Sequence, residues 1–135
     1  MSVRTILSIV AILSLSLRAD LMEARKFARK AEMQMRRGGY KIVSTRGAKL
    51  RTSEDKTFRV MLYRGNSYAI LGYGESSVKD LDVQIYDREW RIVKEDYTIG
   101  SIYAIHFRPK QTGVYYINTT MYRGSGYFFL SVGWR

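Results

Sequence analysis

Cysteine is absent from the 135 residues, proline and histidine occur once each, and acidic residues number 12 against 23 lysines and arginines. Without cysteine, disulfides, zinc–thiolate sites, a cysteine nucleophile and a lipoprotein anchor are all excluded. Small exported eukaryotic domains lean on disulfides, so their absence points to a bacterial source. A single histidine, His106, cannot build a multi-histidine metal site. As a general base it would need a positioned nucleophile and an orienting acid, and no Gly-x-Ser-x-Gly elbow accompanies it. The sequence therefore reads as a non-enzyme, with a hydrolase of unrecognised type as the remote alternative. Scarce proline together with 46% hydrophobic residues argues against disorder and for one packed domain.

The net charge is +11, and eleven tyrosines dominate the aromatic content. A basic surface favours anionic partners such as lipid head groups, acidic polysaccharide or an acidic protein. No nucleic-acid-reading motif is present, so nucleic acid is set aside. Residues 1–19 have the anatomy of a signal peptide, with Arg4 in a short leader followed by the apolar run Ile6 to Leu17. That run would rise about 18 Å as a helix, short of the ~30 Å hydrocarbon core. Cleavage after Ser16 or after Ala19 satisfies the small-residue preference in different ways. A periplasmic or secreted location follows.

Residues 20–38 read as an amphipathic basic helix, with Asp20 and Glu23 as a start and Gly38-Gly39 as a stop. Leu21, Ala24, Phe27, Ala28, Ala31 and Met35 share one face, while Arg25, Lys26, Arg29, Lys30, Arg36 and Arg37 lie elsewhere. The basic side chains are candidates for contact with a membrane or partner. From residue 40 to 135 the hydrophobic period becomes 2, as in Phe58/Val60/Leu62, Leu81/Val83/Ile85 and Phe128/Leu130/Val132/Trp134. About eight short strands separated by turn signals predict an all-β fold, a jelly-roll-like antiparallel sandwich. The polar stretch 46–56 reads as an irregular loop or edge.

A near-repeat stands out. Tyr63-Arg64-Gly65-Asn66-Ser67-Tyr68 and Tyr122-Arg123-Gly124-Ser125-Gly126-Tyr127 are both expected at hairpin tips. Each would present an arginine between tyrosines, which suits sugar rings, carboxylates or phosphates. The bland reading is convergence on good turn chemistry. Asp80, Asp82 and Asp87 could gather oxygen ligands, although their spacing does not fit an EF-hand, and solvated edge acids are the simpler account.

From residue 79 onward the sequence resembles the bacterial pre-peptidase C-terminal domain. The resemblance is carried by Asp80-Leu81-Asp82-Val83-Gln84-Ile85-Tyr86-Asp87, then Ile105-His106-Phe107-Arg108-Pro109, Thr112-Gly113-Val114-Tyr115-Tyr116-Ile117 and Gly126-Tyr127-Phe128-Phe129-Leu130-Ser131-Val132. It implies a jelly-roll-like β-sandwich serving as an accessory module for secretion, substrate adhesion or protein contact. No cofactor is expected; because related collagen-binding modules include calcium binders, calcium on Asp80, Asp82 and Asp87 is the minor alternative. The expected function is a non-catalytic module contacting an envelope polymer such as a glycan, or a partner protein. The alternative is an envelope structural factor docking its basic helix on anionic membrane. Oligomeric state is not legible.

Overall fold

The computed structural model describes residues 3–135, with side chains described from Ala19 onward. The export segment expected over residues 1–19 lies almost wholly outside the described side chains. Among the described residues no helix is long and apolar enough to cross a membrane.

One helix, α1 (Val3–Arg37), precedes eight strands: β1 (Lys41–Leu50), β2 (Asp55–Leu62), β3 (Tyr68–Gly74), β4 (Val78–Tyr86), β5 (Ile92–Asp96), β6 (Ile102–Phe107), β7 (Gly113–Gly124) and β8 (Gly126–Trp134). They form two antiparallel sheets, β1-β8-β3-β6 and β2-β7-β4-β5. The chain changes sheet at every connection except β4 to β5, which is the jelly-roll winding. Between the sheets the alternating residues close the core. Phe58, Val60 and Leu62 of β2, Leu81, Val83 and Ile85 of β4 and Phe128, Leu130 and Val132 of β8 are all buried there.

Two buried hydroxyl pairs accompany this core, one between the sheets and the other on the sheet face beneath α1. Tyr103 Oη lies 2.7 Å from Thr119 Oγ1, and Tyr73 Oη lies 2.6 Å from Ser131 Oγ. Burial, partly offset by the Ser131 hydroxyl, pushes the Tyr73 phenol up to about 12. Ser131 Oγ meets Thr45 Oγ1, which donates to Glu32 of α1, so a hydroxyl chain ties helix to sheet.

The helix ends where Gly38-Gly39 predicted. Tyr40 N–H donates to Met35 C=O and Gly39 N–H to Arg36 C=O, with Gly39 at φ 85°, a Schellman cap. Tyr40 and Met35 then pack with Ala69 in a small second core between α1 and the β1-β8-β3-β6 sheet. The start differs from expectation. Asp20 lies inside the helix rather than capping it, because no glycine or proline interrupts the chain between Val3 and Arg37. The polar stretch 46–56, expected as an irregular loop or edge, is edge strand over 46–50 and again from Asp55, with a turn between. β1 pairs with β8 out to Leu50↔Gly126, and Gly47 lies bare beneath the Phe129 ring.

Candidate functional site

Because α1 covers the outer face of the β1-β8-β3-β6 sheet, the outer face of β2-β7-β4-β5 is the broad uncovered surface. At its β4–β5 end, Asp87 organises the turn. Its Oδ1 accepts from the N–H groups of Glu89 (2.9 Å) and Arg91 (3.0 Å), and its Oδ2 accepts from Arg91 Nε at 2.9 Å. The Arg91 backbone N–H first, and then the guanidinium and the Glu89 N–H, hold this carboxyl below its ordinary range. The turn brings Trp90 to φ 60°, a left-handed conformation that costs a bulky residue about 1–3 kcal/mol.

That strained backbone displays a large aromatic surface. The indole stacks on Tyr116 with centroids 4.1 Å apart and planes 11° from parallel, while Tyr86 lies 5.8 Å away at 55°. Trp90 is nevertheless 57% exposed. Beyond the aromatic group the face continues as a hydrogen-bonded polar lattice. Tyr86 Oη donates to Gln84 Oε1 (2.7 Å), Gln84 Nε2 donates to Tyr97 Oη, and Tyr97 Oη donates to Glu95 (2.6 Å). Asn118 Nδ2 donates to Asp55 (2.6 Å) and Thr57 (2.9 Å). From Tyr116 to Thr120 the face runs about 13 Å along β7, room for a short oligosaccharide.

Asp82, in register with Thr120, lies at the far end of this face. Its Oδ1 is buried without a hydrogen-bond partner among the described residues. Burial first, then the charges of Asp80 and Asp96, push its carboxyl up. Around the Trp90 end the surface turns cationic. A cavity of about 350 Å³ is lined by Asp87, Arg91, Phe107, Arg108, Lys110 and Tyr115 among others. A neighbouring one of about 440 Å³ shares Phe107 and Arg108 and adds Lys94, His106 and Arg135. His106 Nδ1 lies 3.2 Å from Tyr40 Oη.

The structure separates the two arginine tips. Tyr63, Arg64, Tyr68 and their turn join β2 to β3, whereas Tyr122, Arg123 and Tyr127 join β7 to β8. Tyr68 pairs with Trp134 at one end of β8 and Gly126 lies at the other, so the tips stand about 25 Å apart and cannot share a small ligand. Tyr68 is 2% exposed, and its Oη accepts from Tyr63 N–H and Asn66 Nδ2, so it pins its loop instead of facing a ligand. Tyr127 is half-buried beneath the Lys49 ammonium. Tyr63, Arg64, Tyr122 and Arg123 are exposed.

The expected calcium ligands are also divided. Asp80 is buried and accepts from Gly100 N–H at 3.3 Å, Asp82 lies near it, and Asp87 is engaged with Arg91 beyond the opposite end of β4. Among the described residues, three acids close enough to hold one ion are Asp20, Glu23 and Glu75. The basic side chains of Arg25, Lys26, Arg29, Lys30, Arg36 and Arg37 are all exposed. Ala24, Ala28 and Met35 are buried, so from Ala19 onward the helix turns its apolar stripe to the sandwich and leaves these cations facing outward.

Sequence reasoning missed the Trp90 platform. The available signal was a tryptophan in the polar turn Asp87-Arg88-Glu89-Trp90-Arg91, where burial gives no reason for one.

Fold and face together define a jelly-roll β-sandwich with one covered and one open sheet. The pre-peptidase C-terminal domain of collagenase from Bacillus anthracis is similar, with a TM-score of 0.54 and 17% identity over 66% of this chain and 87% of that one. A periplasmic inhibitor of g-type lysozyme from Aeromonas hydrophila is more distantly similar, with a TM-score of 0.49 and 10% identity over 68% of this chain and 85% of that one. The likeness to the collagenase domain supports the fold suspected from residue 79 onward. No family model matches the sequence, and no curated protein is detectably similar to it.

Proposed function

We propose that the protein is an exported, non-catalytic binding module that takes an acidic polysaccharide of the cell envelope on the open face of the β2-β7-β4-β5 sheet. The observation that carries this reading is Trp90, an exposed indole held at φ 60° and laid flat on Tyr116. Burial does not explain that placement, because the ring remains mostly in water. An aromatic plane suits the apolar face of a sugar ring, and the adjoining amides and hydroxyls suit its hydroxyl groups. Arg91, Arg108 and Lys110 at the same end would meet carboxylates or sulfates on the polymer. The similarity to an accessory domain of a collagenase is compatible with a binding role and supplies no ligand.

Affinity electrophoresis in gels containing alginate or neutral dextran tests the proposal. Retardation by alginate is expected, and Trp90→Ala should weaken it at least about tenfold while leaving the melting temperature unchanged. Equal retardation of both proteins, or none by alginate, would sink the reading.

A further inference from the structure

Where α1 meets the β3–β4 turn, three carboxylates converge in a protein that is otherwise rich in cations. Asp20 and Glu23 are three residues apart and so share a helix face, and Glu75 follows directly after β3. One carboxylate oxygen from each lies within 4.8 Å of the others. Among the described residues none of the three joins an ion pair. Glu75 is only 1% exposed. Its Oε1 accepts from Ser77 N–H at 3.0 Å, but its Oε2 is buried with no partner among the described residues.

The surroundings are shaped to keep that carboxylate in place. Gly126 has φ 144°, and a Cβ there would collide with Glu75 Oε1 and Ser77 Oγ, so the carboxylate lies against bare backbone. Glu75 N–H donates to Tyr127 C=O, and Ser76 Oγ donates to Glu23 Oε2 at 3.1 Å. A buried, unpartnered carboxylate beside two others is costly unless positive charge joins them. Every donor here is a hard oxygen, with neither imidazole nor thiolate, which disfavours zinc and copper and suits calcium's flexible oxygen shell.

We propose that Asp20, Glu23 and Glu75 bind one calcium-class divalent cation, which clamps α1 to the β3–β4 turn. The competing occupant is a proton shared between Glu75 and its neighbours.

Full-length protein stripped with EDTA and then titrated with CaCl2 by calorimetry and thermal melting separates the two. The expected result is one saturable site and a melting temperature raised by about 10 °C when calcium exceeds Kd about a hundredfold. Glu75→Gln should abolish the site. Because that variant alters a buried group, the pair Asp20→Asn and Glu23→Gln provides a second arm at less buried positions on α1. It should weaken calcium at least tenfold without lowering the metal-free melting temperature. The proposal fails if millimolar calcium, magnesium and manganese give neither heat nor stabilisation, or if binding is unchanged in the Asp20→Asn/Glu23→Gln protein.

Discussion

Tyr103 and Thr119 show how much stability a single buried contact can carry in this core. Their hydroxyls satisfy each other between the sheets. Tyr103→Phe should therefore strand the Thr119 hydroxyl and cost about 1–3 kcal/mol in urea unfolding. Adding Thr119→Val should recover most of that loss, since two apolar groups of matching shape need no partner. A double variant as unstable as the single one would show that the bond is not the source. Asp82 presents the converse case, an acid whose charge is unwelcome. Its carboxyl is held above the ordinary aspartate range, so the folded chain binds the proton more readily than the unfolded chain. That contribution is complete below the ordinary range and is lost as pH rises through the raised value. Asp82→Asn should accordingly raise the melting temperature by a few degrees at pH 7–8 and give no gain near pH 3. Equal gains at both pH values would contradict the assignment. The alternation that puts Asp82 on the outer face was readable in the sequence. Its burial was not, because Asp80 and Asp96 reach it only through a bulged strand and its partner strand.

At the scale of elements, turns and caps were the most legible features. Gly38-Gly39 ends α1 as predicted, and a Cβ on Gly39 would meet nothing within 4 Å, so its role is purely conformational. Gly39→Ala should then cost about 1 kcal/mol through the left-handed backbone alone, seen as a lower melting temperature with unchanged spectra. No loss would remove that explanation. β1 was less legible. Its burial does not alternate, because its side chains divide among solvent, the helix and the core. Its second half read as a loop or an edge, and pairing with β8 makes it an edge strand. Likewise Asp20 resembles a helix start by local chemistry, yet with no breaker upstream the helix continues through it.

For the whole molecule, the +11 charge has a location as well as a sign. Exposed cations line the outer side of α1 and the cavities around Arg108, at different places on the sandwich. If the Arg108 end steers an acidic polymer toward Trp90, Arg108→Ala with Lys110→Ala should weaken alginate binding severalfold at low salt and little at high salt. Trp90→Ala should weaken it at both. Identical salt dependence in all three proteins would argue against a shared surface.

Composition and periodicity by themselves determined the sandwich class, the basic helix with its apolar stripe, and the turns that punctuate the strands. These follow from steric preferences and from burying every second residue. Tertiary structure alone decided which sheet the helix covers, that the two Tyr-Arg tips stand at opposite ends, and that Trp90 meets Tyr116. It also decided that Glu75 meets Asp20 and Glu23 across more than fifty positions of chain. Such meetings depend on how the two sheets wind around one another, and no local pattern records that winding.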